Sequence, residues 1–278
     1  MVAWPQGGQS NKDYPHMHPD EMASVASVAF AGVRFHSLQG RSVIITGGAS
    51  GIGADMVRAF AGQGCRVGFL DRDVAAAQAL AASLAGVVFR ACDVTDVAAL
   101  QAAMAALQEA IGGVDVLVNN VANDERHAIE SVTPAYFDER VALNLRPHFF
   151  AMQAVLGSMR ARGGGAIINM GSGSWKIKGA GYAVYATCKS AMLGFTRVLA
   201  RELGPDNIRV NCVVPGWVMT ERQVALWLDD AGERAMDQNH CLPGRIVGED
   251  IANMVLFLAA DTARMVTAAE FVVDAGWS

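Results

Sequence analysis

Short apolar runs alternate with helical stretches along most of the chain, and this alternation constrains the fold more than any other feature. The apolar runs lie at 42–46, 65–70, 87–91, 114–118, 166–170, 208–214 and 270–273. Helical stretches separate them, at 52–63, 73–85, 96–111, 183–203 and 249–260, with a helical pair at about 134–161 that Asn144 and Pro147 divide. Continuous apolar strands that alternate with helices are typical of a parallel sheet covered on both faces. The sequence therefore predicts an α/β fold, a single Rossmann-type doubly wound parallel sheet of about seven strands with helices on both faces.

Residues 1–36 stand apart from this pattern. They are rich in Pro and Gly near their start and show no clear periodicity, so we predict that 1–36 form a flexible N-terminal extension. The remaining residues, 37–278, have a suitable length for one α/β domain. A composition of 52% hydrophobic and 18% charged residues indicates that this domain buries a large core.

Charge and cysteine content argue against several classes of protein. A net charge of −5, with no basic stripe, argues against a nucleic-acid partner. No apolar run approaches the ~20 residues of a membrane span, so we predict no membrane partner either. The five cysteines form no Cys-x-x-Cys pair, and the histidines do not combine with Cys or Asp at metal-ligand spacing. We therefore predict a cytoplasmic protein without a metal.

A glycine-rich turn, Thr46-Gly47-Gly48-Ala49-Ser50-Gly51-Ile52-Gly53, joins the first strand to the first helix. Glycines allow a diphosphate to approach the backbone closely, and the following helix N-terminus offers free N–H groups. No Lys follows the last glycine, which weighs against a nucleoside-triphosphate loop. An ordinary glycine-rich turn is the alternative, but the position after the first strand favours a dinucleotide site. We therefore predict cofactor contacts from Gly47, Ser50, Gly51, Ile52 and Gly53.

Acidic residues follow the second and third strands. Asp71 is placed to bind the adenosine ribose hydroxyls and to repel a 2′-phosphate, and Ser50 stands where a basic residue would bind that phosphate. Both residues favour NAD over NADP, whereas the neighbouring Arg72 weakens the distinction. Asp93 either contacts the adenine amine or only caps the chain before Val94.

A tyrosine and a lysine share one face of the predicted helix at 183–203. Tyr185 and Lys189 are four residues apart, and Ser172 follows the apolar strand at 166–170. A tyrosine hydroxyl with its ordinary pKa of about 10 is a poor base near neutral pH, but a nearby ammonium lowers that pKa. With Ser172 on the same substrate oxygen, the three residues indicate a proton-transfer site. The alternative is a surface Tyr and Lys that share a helix by chance.

A polar segment, Asn123-Asp124-Glu125-Arg126-His127, follows the fourth strand. Such a cluster suits a polyhydroxylated ligand, because each buried hydroxyl needs a hydrogen-bond partner. A solvated loop is the alternative. Trp175 and Trp217 could pack their rings on a sugar or merely line the core. We predict substrate contacts from Asn123, Asp124, Ser172, Trp175, Tyr185 and Trp217.

These motifs together resemble the short-chain dehydrogenase/reductases over residues 38–278. The matching positions are 46–53, Asp71, Asp93, Asn119-Asn120, Asn144, Ser172, Tyr185, Lys189 and Pro215-Gly216. The resemblance implies that Tyr185 is the general acid/base and that Ser172 orients the substrate oxygen. It also implies that Lys189 lowers the Tyr185 pKa and holds the nicotinamide ribose, and that Asn144 supports a water chain for the proton. A helix irregularity before Pro147 is the alternative for Asn144.

The same resemblance implies that 37–278 form an NAD-binding catalytic domain. The further contacts to NAD would come from Asp71, Arg72, Asp93, Val94, Asn120, Val121, Ala122, Tyr185, Lys189, Pro215, Gly216, Val218 and Thr220. The family commonly has Asn-Asn-Ala-Gly after its fourth strand, whereas Ala122 stands here in place of the glycine. A small-molecule substrate and a homo-oligomer, a tetramer or a dimer, are also implied.

At a finer level the chain resembles the aldose 1-dehydrogenases of this family, D-xylose dehydrogenases among them. The segments that carry this likeness are 123–127, 137–140, 171–175, 212–216 and 273–277. The likeness implies oxidation of a pyranose such as D-xylose or L-arabinose at C1 to the aldonolactone, with hydride transfer to NAD and Tyr185 as base. One alternative is an alcohol or polyol dehydrogenase or a 3-oxoacyl thioester reductase of the same fold. Another is a non-catalytic NAD-sensing regulator, against which the presence of both Tyr185 and Lys189 argues.

Overall fold

The computed structural model describes residues 34–278. The flexible extension predicted at 1–36 lies outside the described residues except at its last three positions. There Phe35 packs against the core, and its backbone N–H donates to the Gln63 side-chain oxygen at 2.9 Å. A short 3₁₀ turn, His36–Leu38, then leads into the first strand. Phe35 therefore already contacts the domain that is predicted to begin at residue 37.

One sheet of seven parallel strands forms the centre of the described part of the chain. The strands are β1 (Ser42–Thr46), β2 (Arg66–Asp71), β3 (Val87–Ala91), β4 (Val116–Asn119), β5 (Gly165–Met170), β6 (Ile208–Pro215) and β7 (Glu270–Val273). Their order across the sheet is β3-β2-β1-β4-β5-β6-β7. Every residue of β1 and β4 is buried, as expected for central strands that are covered on both faces. The predicted doubly wound parallel sheet is confirmed.

Helices cover both faces of this sheet. Within residues 34–278 they are α1 (Gly51–Gly62), α2 (Val74–Ser83), α3 (Val97–Ile111), α4 (Pro134–Asn144), α5 (Arg146–Ala161), α6 (Ala183–Leu203), α7 (Glu221–Trp227), α8 (Asp230–Asn239) and α9 (Gly248–Ala259). Helices α1, α2 and α9 pack in the core on one face, and α3, α5 and α6 pack in the core on the other. None of the helices in this part of the chain is long and apolar enough to cross a membrane.

The sequence prediction lacks helices α7 and α8. Both are short, with 7 and 10 residues, and both begin at a side-chain cap. The Thr220 hydroxyl accepts a hydrogen bond from the Gln223 N–H at 3.3 Å, and the Asp229 carboxylate accepts one from the Gly232 N–H at 2.8 Å. A Thr or Asp whose side-chain oxygen accepts a hydrogen bond from the N–H three residues later is typical of a helix N-cap, so such residues are a local signal for these helices. The other predicted elements differ from the observed bounds by no more than two residues.

The position of the functional site follows from the strand order. The order reverses between β1 and β4, and doubly wound sheets bind ligands beside this point, at the carboxyl ends of the strands. Strand β1 ends just before the glycine turn, and β4 ends just before Asn120. The Thr46 hydroxyl accepts a hydrogen bond from the Asn120 N–H at 2.9 Å. The two loops that follow these strands are therefore joined at their base.

Candidate active site

A cleft of about 1630 Å³ runs along the carboxyl ends of the strands. It is lined by all the residues that are predicted to contact the cofactor, namely Gly47, Ser50, Gly51, Ile52, Gly53, Asp71, Arg72, Asp93, Val94, Asn120, Val121, Ala122, Tyr185, Lys189, Pro215, Gly216, Val218 and Thr220. The predicted substrate contacts Asn123, Asp124, Ser172 and Trp217 line it as well. Trp175 and Asn144 do not. The structure thus brings most of the predicted site residues into one continuous cavity.

The glycine turn needs glycine at two positions for steric reasons. Gly47 has a φ of +69°, and a Cβ there would lie 2.9 Å from the Val121 Cα. A Cβ on Gly53 would lie 1.9 Å from the Gly47 carbonyl oxygen, so no side chain fits while the turn keeps its path. The turn therefore packs tightly against the start of α1 and the loop after β4, with the cleft beside it.

The N-terminus of helix α1 fits a diphosphate. Its N-cap residue, Ser50, makes no side-chain capping hydrogen bond, and the first turn contains no acidic residue. The first N–H groups of the helix therefore keep their hydrogen-bonding capacity and their partial positive charge. With the glycine turn they form the kind of cradle that binds the diphosphate of a dinucleotide. By contrast, no group of three or more His, Cys, Asp or Glu side chains in residues 34–278 could hold a metal ion.

The two acidic residues after β2 and β3 have different surroundings. Asp71 accepts hydrogen bonds from two backbone N–H groups, at 2.9 and 3.0 Å, one of which lies in the glycine turn. Its carboxylate is thereby fixed beside the turn. Asp93 accepts hydrogen bonds from the N–H and the hydroxyl of Thr95, and these bonds lower its pKa. Asp93 thus closes a local turn at the edge of the cleft, while Asp96 caps helix α3.

The alanine at position 122 fits the backbone without strain. Ala122 lies outside the positive-φ region, so this backbone does not require the glycine that the family commonly has there. Asn120 holds the same loop in place, because its side-chain N–H₂ donates to the carbonyls of Thr46 and Gly47 at 3.1 and 2.8 Å. The loop after β4 is therefore bonded directly to the glycine turn.

Tyr185 lies on helix α6, and its side chain lines the cleft. Burial raises the pKa of Tyr185 to about 12, while hydrogen bonding with Ser172 acts in the opposite direction. The negative charge of Asp124 also raises this pKa, and the positive charge of Arg126 lowers it. The Ser172 hydroxyl accepts a hydrogen bond from the Ser174 N–H at 3.2 Å, which orients it at the end of β5.

Lys189 lies one turn after Tyr185 and is almost completely buried, with 2% of its surface exposed. Its ammonium donates to the Met170 carbonyl at 2.8 Å and lies 6.0 Å from the centre of the Tyr185 ring. Burial lowers the pKa of Lys189 to about 8. That Lys189 lowers the Tyr185 pKa stays a prediction. Burial of the phenol dominates that pKa, and the ammonium is directed to a main-chain oxygen.

Asn144 is completely buried at the end of helix α4. Its side-chain N–H₂ donates to the Arg140 carbonyl at 3.0 Å, and its side-chain oxygen accepts a hydrogen bond from the Asn123 N–H at 2.8 Å. Helix α5 begins directly after this point, so the helix irregularity considered for the residues before Pro147 is present. In this structure Asn144 holds the start of the polar segment in place.

The first two residues of the polar segment hold helix α7 beside the cleft. The Asn123 side-chain oxygen and the Asp124 carboxylate accept hydrogen bonds from Arg222, at 3.2 and 3.1 Å. Asp124 also accepts one from the Gln223 side chain at 2.7 Å. We call these four residues the α7 clasp. Asp124 and Arg222 are 98 residues apart in the chain, so the clasp is a purely tertiary feature.

Glu125 and His127, also in the polar segment, have structural partners as well. Glu125 accepts a hydrogen bond from Arg140 at 3.0 Å. The His127 ring contacts the Tyr136 hydroxyl at 3.1 Å and accepts a hydrogen bond from the Val184 N–H at 3.4 Å. The polar segment is therefore neither a solvated loop nor a uniform substrate wall, because four of its five residues hold neighbouring elements.

The two tryptophans that are predicted to bind substrate differ in position. Trp217 lines the cleft, and its indole N–H is buried without a hydrogen-bond partner in residues 34–278. Trp175 lies outside the cleft lining, with 36% of its surface exposed and the Lys176 ammonium over its ring at 4.7 Å. The structure does not support the substrate contact predicted for Trp175, because its ring packs with Lys176 instead.

The cleft also contains residues that the sequence prediction does not name as site residues, among them Arg126, Tyr182 and Trp227. The Arg126 Cζ lies 4.4 Å from the centre of the Tyr182 ring and 4.9 Å from that of Trp227. The rings of Tyr182 and Tyr185 meet edge to face, with their centres 6.3 Å apart. These residues therefore extend the wall of the site beyond Tyr185. The only sequence signal for them is the polar character of the segment that contains Arg126.

Several known proteins of similar sequence are named as dehydrogenases. A family model described as enoyl-(acyl carrier protein) reductase matches residues 47–278. The D-xylose 1-dehydrogenase of Caulobacter vibrioides (strain NA1000 / CB15N) is 49% identical over 247 residues, which are 87% of this chain and 98% of that protein. A Rhizobium meliloti (strain 1021) protein named "Probable galactose dehydrogenase GalD" is 41% identical over 248 residues, 87% of this chain and 97% of that protein.

The fold also matches a solved structure, that of a blue fluorescent protein from a metagenomic library in complex with NADPH. The two share 36% sequence identity with a TM-score of 0.81, and the match covers 87% of this chain and 99% of that one. The glycine turn, the uncapped start of α1 and this likeness together identify a site for a nicotinamide dinucleotide. They do not distinguish NAD from NADP.

Proposed function

The chain belongs to the short-chain dehydrogenase/reductase family, and we propose that it is an NAD-dependent dehydrogenase that oxidises an aldose at C1 to the aldonolactone. The observation that carries the proposal is the position of Tyr185 and Ser172, which line one cleft together with the cofactor cradle and three residues of the polar segment. Identities of 49% to a D-xylose 1-dehydrogenase and 41% to a protein named as a galactose dehydrogenase support a pyranose such as D-xylose or L-arabinose.

Proton and hydride leave the sugar from the same carbon–oxygen unit. The cofactor supplies the hydride acceptor and, in its oxidised form, a positive charge. Tyr185 takes the proton of the anomeric hydroxyl while Ser172 holds the same oxygen. Loss of this proton, with departure of the C1 hydrogen as hydride, leaves a C1=O double bond and hence the lactone. Lys189, whose pKa burial lowers to about 8, exchanges a proton near neutral pH, which suits a relay from Tyr185.

The raised pKa of Tyr185 gives the reaction a pH dependence. With a pKa of about 12 the phenol is almost entirely protonated near neutral pH. The oxidation rate therefore increases with pH, because the fraction of phenolate increases. Positive charge near the phenol, such as that of Arg126, moves this increase to lower pH because it favours the phenolate.

Asp71 supports NAD rather than NADP as the cofactor. Its carboxylate is held at the end of β2 by two backbone N–H groups, one of them in the glycine turn. A carboxylate in this position accepts hydrogen bonds from the ribose hydroxyls and repels a 2′-phosphate. Ser50 is uncharged and Arg72 is exposed to solvent, so neither provides a buried cation to offset Asp71.

We propose further that the protein forms a homo-oligomer, either a dimer or a tetramer, and that it is cytoplasmic. The cysteines in residues 34–278 are all free, and four of them are buried, as is usual in a reducing compartment. Phe137 on α4, Phe149 on α5 and Val198 on α6 are 45%, 41% and 59% exposed. Large apolar side chains exposed on neighbouring helices support self-association through this face.

Formation of the reduced cofactor by the purified full-length protein tests the proposal. The substrate panel contains aldoses, simple alcohols, polyols and 3-hydroxyacyl thioesters, each with NAD and with NADP. We expect the highest kcat/KM for an aldose with NAD. Tyr185→Phe should lower kcat by about 10³-fold, because the base is removed. NAD binding, measured by fluorescence titration, should stay within about threefold of the wild-type Kd.

Tyr136→Phe is the matched control, because the Tyr136 hydroxyl bonds to His127 and does not line the cleft. It should retain wild-type kcat. If the protein oxidises polyols or thioesters but no aldose, the proposed aldose substrate is wrong, and the substrate is another of those that the family oxidises. NAD binding without turnover of any substrate would indicate a sensing regulator. Substantial activity of Tyr185→Phe would refute the assignment of the base.

A further inference from the structure

Arg126 is the member of the polar segment that has no hydrogen-bond or ion-pair partner among the described residues. Its guanidinium makes no hydrogen bond or ion pair with any described residue, and its Nε is buried. The neighbouring arginines are paired, Arg140 with Glu125 at 3.0 Å and Arg222 with Asp124 at 3.1 Å. A buried donor without a partner is costly. Only the Nε is completely buried, so the two terminal nitrogens keep some exposure in the cleft wall, where they can donate to a ligand that supplies acceptors.

Two aromatic rings fix the position of this guanidinium. The Arg126 Cζ lies over the rings of Tyr182 and Trp227, at 4.4 and 4.9 Å from their centres, which are cation–π distances. Tyr182 is only 8% exposed and meets the Tyr185 ring edge to face. The charge of Arg126 also reaches Tyr185, whose pKa it lowers. Arg126 is thus placed beside the part of a substrate that extends from Tyr185 into the cleft.

Further donors without partners line the same cleft. The indole N–H groups of Trp217 and Trp227 and the Ser174 hydroxyl are buried, and each lacks a hydrogen-bond partner within 34–278. An indole N–H and a guanidinium can only donate, so this set calls for a ligand with several acceptor oxygens. The ring hydroxyls of a sugar meet that requirement, whereas the apolar chain of a fatty acyl thioester does not.

We propose that Arg126 selects the sugar by donating hydrogen bonds to ring hydroxyls of a neutral aldose near its reacting carbon, while Tyr182 and Trp227 hold the guanidinium in place. This inference rests on the proposed function and names the residue that recognises the substrate. A guanidinium presents its N–H groups in a fixed fork, so it can engage two neighbouring hydroxyl oxygens at once. A lysine at this position would keep the charge and lose the fork.

The test compares wild type, Arg126→Met and Arg126→Lys on D-xylose and on its 2-deoxy and 3-deoxy analogues. In the wild type, loss of a bound hydroxyl should lower kcat/KM by about tenfold. Arg126→Met should lower kcat/KM for D-xylose by about 10- to 100-fold, mainly through KM, and the bound hydroxyl should then make no further difference. The kcat/KM of Arg126→Lys for D-xylose should lie between those of the wild type and Arg126→Met. Arg201→Met, an exposed arginine on α6, is the matched control and should behave as wild type.

Two readouts separate recognition from a merely structural role. NAD affinity should be unchanged in Arg126→Met. Because the positive charge of Arg126 lowers the Tyr185 pKa, Arg126→Met should also move the increase of kcat with pH to higher pH. A variant that is only less stable would lose NAD binding together with sugar oxidation, and this result would overturn the proposal.

Three further outcomes have distinct meanings. A kcat/KM of Arg126→Met within about threefold of wild type, or unchanged discrimination against the deoxy analogues, would overturn the proposal. So would a wild-type preference for the matching uronic acid that Arg126→Met abolishes, because the guanidinium would then bind a carboxylate. If the wild type oxidises no aldose at all, the proposed function itself fails, and the wild-type panel alone shows this.

Discussion

The two ends of the cleft are built by different means. On the cofactor side, the contacts available to a ligand come mainly from the backbone, through the glycine turn and the uncapped start of α1. On the substrate side they come from side chains. Some of these, such as Asp124 and Arg222, find partners far along the chain, and others, such as Arg126, have none. The cofactor side is fixed by steric necessity, whereas the substrate side is fixed by pairs of side chains.

This difference separates what the fold must keep from what it can change. Gly47 and Gly53 on the cofactor side each lie close to backbone atoms, so a substitution at either position disturbs both the fold and the site. A side chain of the substrate side can be replaced without moving the sheet. Specificity can therefore change one residue at a time while the cofactor site stays intact.

The largest effect is expected for Gly53→Ala. The added Cβ would lie 1.9 Å from the Gly47 carbonyl oxygen and 2.8 Å from the Asn120 side-chain nitrogen. The Asn120 nitrogen donates a hydrogen bond to this same oxygen. The turn must move, and overpacking of this kind costs about 1–3 kcal/mol. We expect a lower melting temperature, measured by calorimetry, and weaker NAD binding, measured by titration, in the same variant.

Gly62→Ala is the matched control, because Gly62 ends the same helix and a Cβ there meets nothing within 4 Å. This variant should be as stable as wild type or more stable by about 0.5–1 kcal/mol, since alanine is the better helix former. NAD binding should not change. Equal NAD affinity and stability in Gly53→Ala would show that the backbone contact does not define the cofactor side.

An intermediate effect is expected for Asp124→Asn, which weakens the α7 clasp without removing a side chain. Exposed ion pairs contribute little, about 0.2–1 kcal/mol, and the Arg222 side chain is 44% exposed. We therefore expect KM for the sugar to increase by about 1.5- to 5-fold, with little change in NAD affinity. The Asp124 charge raises the Tyr185 pKa, so its removal should move the increase of kcat with pH to lower pH.

The direction of this pH shift is opposite to that expected for Arg126→Met. Because a loss of folding would not move the two kcat–pH profiles in opposite directions, the pair tests the effect of these charges on the Tyr185 pKa. Glu233→Gln serves as the control, because Glu233 pairs with Arg245 at 2.9 Å and does not line the cleft. It should leave both KM and the pH profile unchanged. A shift of the Asp124→Asn profile to higher pH would contradict the assigned effect on Tyr185.

The fold and the cofactor side could be predicted from the sequence for a physical reason. Buried parallel strands require continuous apolar runs, and a tight turn at a helix N-terminus requires glycines, so both leave local patterns. The order of Asp71, Ser172, Tyr185 and Lys189 along the chain adds the chemistry. The direction of the Lys189 ammonium is not local, because it depends on the Met170 carbonyl of a neighbouring strand. The hydrogen bond from Lys189 to this carbonyl could therefore not be predicted from the sequence.

The substrate side could be predicted only as a polar region. The five residues of the polar segment look alike in sequence, and only their tertiary partners separate Arg126 from the four that hold neighbouring elements. The place of Trp227 in the cleft could not be predicted for the same reason, because Trp227 lies on the short helix α7, which the α7 clasp holds beside the cleft. The sequence therefore does not show which of these polar residues have hydrogen-bond partners within the protein.

The smallest effect is expected at Trp175, where sequence and structure disagree. Trp175→Leu should leave kcat/KM within about twofold of wild type, as is usual for surface positions. Loss of its contact with Lys176 should cost about 0.5–1 kcal/mol of stability. Trp217→Leu, at a position that lines the cleft, should lower kcat/KM for the sugar by about tenfold. If both variants lost sugar oxidation equally, the 3₁₀ turn Gly173–Trp175 would have to rearrange when substrate binds, and the substrate side would be less fixed than its side-chain pairs suggest.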